Sequence, residues 1–248
     1  MISASFTGLS CVNDGEVGLE VLMAMPGWFA IVMGLSGLSL AWLRAQPLMG
    51  EAALAAGLAI GILAALVFVA LLVFSVLRTQ RYPQALAEDL KHPVRHAFIA
   101  AVPISVILLA TVTHALSGQH WLAATLWILG SAGQFGVTVW VLSRWLRGNK
   151  EGGMVWAGIT PVLFIPVVGN VLTPLAGMSL GFPEWAAAQF GVGLFFWPIA
   201  LTLLIVRMGN LGLWADRLLP TTSITIAPPT AGGLAALQLG APETIGGI

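Results

Sequence analysis

The sequence predicts an all-α integral membrane protein, and three observations carry that expectation. Hydrophobic residues make up 58% of the chain and charged residues 8%, against the about 25% charge typical of a soluble domain. Mean hydropathy is +0.94. Seven apolar stretches cross the chain, each near the ~20 residues that a helix needs to traverse hydrocarbon, and none of the seven contains Asp, Glu, Lys or Arg.

Residues 1–25 have no cationic leader region and no small-residue cleavage site before the first span, so they are expected to form an N-terminal cytoplasmic segment rather than a removable signal peptide. The transmembrane domain is expected over 26–239, with a polar, glycine-rich tail over 240–248. Span one, about 27–43, starts after Pro26 and carries Gly27, Gly34 and Gly37. Span two, about 52–77, is smooth, without proline and almost without polar atoms. Span three, about 97–115, carries Pro103, Ser105, Thr111 and Thr113, and span four, about 121–143, carries Gln134. Span five, about 154–173, contains Pro161, Pro166 and Asn170. Span six, about 185–206, is mostly plain apart from Pro198, and span seven, about 221–239, carries Pro228 and Pro229 followed by Gly232 and Gly233. Trp42, Trp121, Trp145, Trp156, Trp185 and Trp214 fall near span ends, where amphipathic rings settle at headgroup level.

Nine of the ten Lys and Arg residues fall in the connections after spans two, four and six, leaving Arg44 on the other side. The positive-inside rule makes that side cytoplasmic and places the N-terminus there, in a multi-pass protein of the cell (inner) membrane. Short connections on the far side predict three tight antiparallel hairpins.

Pro26, Pro103, Pro166 and Pro228 are separated by 77, 63 and 62 residues, a loose repeat of one hairpin per ~60 residues. Odd-numbered spans are therefore expected to be kinked and small-residue-rich, and even ones plain. Hydrocarbon cannot satisfy freed backbone groups, so irregular backbone is tolerated only where protein buries it or where it lines a water-filled cavity. The pattern suggests kinked odd helices around a central pore with smoother helices outside. Candidates to line it are Gly34, Pro103, Ser105, Thr160, Pro161, Pro166, Thr225, Pro228 and Pro229. Against this stand the general frequency of Pro and Gly in membrane helices and the habit of Ser and Thr hydroxyls of bonding their own helix. His92, Arg95 and His96 form a basic cluster at the cytoplasmic mouth of span three, either drawing anions inward or anchoring the span. Gln134 and Asn170 read more readily as interhelical glue than as substrate contacts.

Other classes find little support. Zero net charge gives no hint of nucleic acid, and the single Cys11 excludes an internal disulfide framework or thiolate cluster. Nothing resembles HExxH, a nucleophile with its base, or a pair of axial histidines, so no enzyme activity, metal or cofactor is expected. With no Asp, Glu, Lys or Arg inside a span, the lining is nearly neutral, which suits rapid permeation.

The stretches PGWFAIVMGLSGLSLAW (26–42), HPVRHAFIAAVPISVILLAT (92–111), LGSAGQF (129–135), GITPVLFIPVVGNVLTPLAG (158–177), FFWPIALTLLIVR (195–207) and LPTTSITIAPPTAGGLA (219–235) together resemble the tellurite-resistance/dicarboxylate transporter family, in order and over nearly the whole chain. That family includes bacterial tellurite-resistance proteins, fungal malate permeases and the slow-type anion channels of plant guard cells. The resemblance implies ten transmembrane helices in five hairpins, odd helices lining a central pore, a homotrimer in the lipid bilayer, and anion conduction past a phenylalanine on the ninth helix. About seven of the ten helices are present, so a fragment is expected and no residue here is assigned that gate. The expected function is passive transport of small inorganic or organic anions through a pore lined by proline-kinked helices 1, 3, 5 and 7. The alternative is a proton-linked carrier of C4-dicarboxylates or tellurite-type oxyanions.

Overall fold

A computed structural model of the protein describes residues 26–92, 94–147, 156–214 and 216–240. The segment 1–25 with Cys11, and the tail beyond Gly240, lie outside the described residues. Every regular element among the described residues is helical. Five helices are long and apolar enough to cross a membrane, and a shorter apolar stretch, Pro161–Gly177, accompanies them.

The first hairpin joins α1 (Phe29–Met49) to α2 (Glu51–Arg81) through Gly50, whose φ of 67° suits a residue without Cβ. Small residues at helical spacing, Ala53, Gly57, Gly61 and Ala64, form the buried stripe of α2 against α1. Ser39 of α1 crosses that contact, donating to the Gly57 carbonyl at 2.7 Å. Much of the rest of α2 is exposed and apolar, with Leu66, Val69, Val73 and Phe74 all at least half exposed, as suits a helix with hydrocarbon around it, while Phe68 packs edge-on to Phe29. A short amphipathic helix, α3 (Pro83–Lys91), follows. The second hairpin pairs α4 (Ala101–Ser117) with α5 (Trp121–Trp145) across Gly118, also at φ 67°. Gly130 of α5 leaves room for this contact, since a Cβ there would stand 2.9 Å from the Ile107 amide nitrogen.

The fifth span is not one helix. It runs through a 3-10 turn (Pro161–Leu163), α6 (Phe164–Val171) and α7 (Pro174–Gly177). Behind it lies α8 (Pro183–Leu211), a continuous helix that contains Pro198. The seventh span enters as a 3-10 stretch (Asp216–Ile226) and continues as α9 (Ala227–Gln238).

Packing sorts these elements into two layers. In the first, α1 packs on α4, α4 on α6 and α6 on α9, so the odd spans lie side by side in chain order. Helices α2, α5 and α8 back them. In the most apolar stretch of the third span 56% of residues are buried, against 11% in α2.

The odd spans share an irregularity whose form differs from a mid-helix kink. Each begins with a 3-10 segment: Pro26–Trp28 before α1, Arg95–Ala100 before α4, Pro161–Leu163 before α6 and Asp216–Ile226 before α9. Pro103, Pro166 and Pro229 then each occupy the third position of the following α-helix, with Pro228 second in α9. Amide hydrogens in a first turn have no acceptor within the α-helix, so a ring nitrogen costs little there. The repeat along the sequence is thus a repeated 3-10 lead-in. In chain order each lead-in packs against the next, which gathers all four at one end of the molecule.

Candidate functional site

At that end a buried carboxylate organises the cations. Asp89, at the close of α3, is fully buried, and accepts from Arg78 at 2.8 Å and from Arg95 at 2.7 Å. Arg144, at the end of α5, donates to the carbonyls of Leu90 and Lys91 and lies 5.4 Å from the Trp140 ring centre. The connection between spans two and three is thereby clasped to α2, to the lead-in of span three and to α5. His92 turns the chain: its Nδ1 accepts from the amides of Val94 at 3.1 Å and Arg95 at 3.2 Å. Burial, and then the Arg95 charge, lower its pKa below the usual 6.5, with Asp89 opposing. His96 is buried and meets Trp140 edge-on at 6.0 Å. Its Nδ1 lies 2.9 Å from the His92 carbonyl, which can only accept, so Nδ1 carries the hydrogen. His92, Arg95 and His96 thus lie together at the start of the third span, and Asp89 neutralises part of their charge.

The broken fifth span lies wholly inside the molecule, with every residue from Gly158 to Pro174 buried. Breaks in a helix at membrane depth leave carbonyls that only protein or water can satisfy, and one face of α5 supplies the partners. Its Trp127, Ser131, Gln134 and Thr138 follow i, i+4, i+7, i+11 spacing and so share a face. Pro166 offers a carbonyl to Gln134 Nε2 at 2.8 Å, Thr138 Oγ1 at 3.0 Å and Asn170 Nδ2 at 2.8 Å. Asn170 Nδ2 also donates to Thr138 Oγ1 at 2.7 Å. At the second break, Thr173 gives its carbonyl to Trp127 Nε1 at 3.0 Å. Trp127 also stacks on Phe182, with centroids 5.2 Å apart. The glue role expected of Gln134 and Asn170 is what this geometry displays. From α8, Gln189 donates to the Ser131 carbonyl at 3.1 Å and Trp185 to its hydroxyl at 3.3 Å. Glycines close the seam, for a Cβ on Gly169 would overlap the Gln134 amide and one on Gly177 the Trp127 ring.

The candidate lining residues separate into two groups. Gly34 is exposed on α1, with no atom within 4 Å of a Cβ built there. Pro229 is exposed, and Thr225 is half-buried and donates to the Thr222 carbonyl. The others are enclosed by protein. Pro103 faces α5, where a Cβ on Gly133 would meet it at 3.5 Å. Ser105 Oγ reaches its own helix at the Ala101 carbonyl (2.7 Å) and α1 at the Phe29 carbonyl (3.2 Å). Thr160 is buried in extended conformation just before the 3-10 turn that Pro161 opens, Pro166 is the carbonyl hub, and Pro228 is buried at the start of α9. Sequence reasoning passed over Asp89, Thr138 and Trp127. A polar face at helical spacing could have revealed the last two, whereas a lone Asp in a charged connection reads as solvated.

An array of membrane-capable helices defines a multi-pass helical membrane protein. The chain belongs to the voltage-dependent anion channel family, whose profile matches residues 24–245. It is 26% identical over 209 residues to a tellurite resistance protein TehA homolog of Haemophilus influenzae, covering 82% of this chain and 60% of that protein. It is 24% identical over 182 residues to the S-type anion channel SLAH2 of Arabidopsis thaliana, covering 73% and 34%. An uncharacterized transporter of Methanocaldococcus jannaschii is 26% identical over 231 residues, covering 87% and 64%. The chain thus spans less than two thirds of the length of each of these relatives.

Proposed function

We propose that the protein carries small anions passively across the bilayer along the inner row of odd spans, as a channel rather than an enzyme. The observation that carries this reading is the gathering of four helix lead-ins at the end that holds Arg78, Arg95 and Arg144. Helix N-termini are the positive ends of their dipoles, so parallel odd spans aim the same favourable potential at an arriving anion without a fixed charge in the membrane. Gly34, Thr225 and Pro229 are the candidate lining residues with accessible surface. Pro103, Ser105, Thr160, Pro161, Pro166 and Pro228 shape the row's wall from within. Family membership and the word "channel" in the name of one relative support the same reading. In this reading the cationic end faces the cytoplasm, the protein sits in the inner membrane, and three copies assemble in lipid.

The test is anion flux from liposomes holding the protein, with voltage and pH gradient set independently. Chloride or nitrate efflux that follows voltage and ignores the pH gradient is expected. Flux that requires a proton gradient and prefers malate, succinate or tellurite would make the protein a carrier instead.

A further inference from the structure

We propose that Arg207 is an oxyanion-binding site, its Nε–Nη2 edge taking a nitrate, carboxylate or phosphate group side-on where the lead-ins of spans five and seven meet. Arg207 stands in the last turns of α8 and is 7% exposed. Its Nη1 donates to the Gly212 carbonyl, just past the helix end. The guanidinium lies 4.8 Å from the Trp214 ring centre. Trp214, itself buried, is fixed by a 2.9 Å bond from Nε1 to the Ile159 carbonyl. Ile159 precedes the lead-in of span five and Trp214 that of span seven, so the plane of this guanidinium is set by both.

What remains is an edge without an acceptor. Nε is buried and makes no hydrogen bond, and no carboxylate among the described residues pairs with Arg207. The other arginines near this end differ. Arg78 and Arg95 direct their charge to Asp89, and Arg144 donates to the carbonyls of Leu90 and Lys91. A desolvated cation without a counter-charge is costly, and an indole face supplies only part of the compensation. A guanidinium edge held flat and unpaired matches the two oxygens of a planar or tetrahedral oxyanion, which an ammonium could not do. The oxyanion comes either from solution or from a lipid headgroup. Naming a dissolved anion rests on the proposed function above, but binding is measured without transport.

The test is thermal unfolding of the protein in dodecyl maltoside, a detergent without phosphate or carboxylate, as nitrate replaces chloride at constant ionic strength. A saturable rise in midpoint is expected for the wild type. Arg207→Gln should weaken the apparent affinity at least tenfold. Arg207→Lys, which keeps charge but not the fork, should weaken it several-fold. The titration is repeated with phosphatidylglycerol present. If that lipid raises the midpoint through Arg207 and abolishes the nitrate response, the ligand is a headgroup phosphate; if nitrate still acts, it is a dissolved anion. A wild type that responds to neither overturns the site, as does a Lys variant whose response matches the wild type, a criterion that holds even if Arg207→Gln fails to fold. Nitrate binding through Arg207 without any anion flux would leave the site standing and remove the channel reading.

Discussion

Helix α2 and the fifth span are both strongly apolar and both free of charge at membrane depth, yet they are built on opposite principles. Helix α2 runs unbroken over 31 residues, so all but its end turns satisfy their backbone groups internally, and its buried residues form a stripe of Ala and Gly. The fifth span, Pro161–Gly177, is cut twice over little more than half that length, and its Pro166 and Thr173 carbonyls accept from Trp127, Gln134 and Thr138 of α5 and from its own Asn170. Hydropathy decides that a segment enters the membrane. Backbone continuity decides whether it can face lipid alone or must be enclosed.

The largest expected contrast comes from adding a Cβ at the two kinds of glycine. On Gly193 of α8 it would lie 3.0 Å from the Val171 nitrogen and 3.1 Å from the Val167 carbonyl, neither of which can move without shifting α6. Gly193→Val should therefore cost on the order of 3 kcal/mol or prevent assembly. On Gly57 of α2 the closest atoms are Cδ2 and Cγ of the Leu43 side chain, with the Leu43 nitrogen farther off at 3.3 Å, so Gly57→Ala should be milder, and Gly37→Ala, which meets nothing within 4 Å, should be neutral or slightly stabilising. Thermal unfolding in detergent ranks the three, and equal losses would erase the distinction between contacts on the fifth span and those along α2.

Next in size is the clasp. Asp89→Asn leaves two guanidinium groups facing a neutral amide and should cost about 3 kcal/mol, read as a lower unfolding midpoint. Glu184→Gln, at an exposed site at the start of α8, should change it by no more than a few tenths of a kcal/mol.

A smaller effect is expected from the seam itself. Thr138→Val removes the hydroxyl that accepts from Asn170 and donates toward Pro166 and should cost about 1 kcal/mol. Thr79→Val, whose exposed hydroxyl bonds only its own helix at the Ser75 carbonyl, should cost almost nothing. A greater loss at Thr79 would mean that span five does not depend on α5.

The smallest effect is that of pH. Because the folded pKa of His92 lies below 6.5, protons bind the unfolded chain more readily. The stabilising contribution of the neutral ring is then complete above pH 6.5 and is lost as pH falls through the lower folded value. Unfolding midpoints should decline as pH falls from 7 to 5, and His92→Asn, which keeps an acceptor for the Val94 and Arg95 amides, should flatten that decline.

Long uninterrupted runs made α1, α2, α4, α5 and α8 legible in the sequence, because hydrocarbon solvation acts residue by residue along the chain. The 3-10 lead-ins were not, since a helix of 3.0 residues per turn leaves no separate hydrophobic signature over a few residues. Pro103 consequently read as a kink within a span that starts near residue 97, whereas the α-helix begins at Ala101. Gln134 and Asn170 were readable as interhelical groups because an amide in a span has few other partners. Asp89 and Arg207 were not, for their burial depends on Arg78, Arg95 and Trp214, which lie close in space but belong to other elements.

The central claim is that the odd row faces a watery path whereas the outer layer faces lipid. Gly34 on α1 and Leu66 on α2 are both exposed in the structure, so the claim is tested by which of them meets water. With Cys11 replaced by Ser, single cysteines at these positions are challenged in liposomes with a negatively charged, membrane-impermeant thiosulfonate. Rapid modification of Gly34→Cys, accompanied by a change in anion flux, with Leu66→Cys unreactive, is the predicted result. Equal protection of both, or faster reaction at Leu66→Cys, would contradict it.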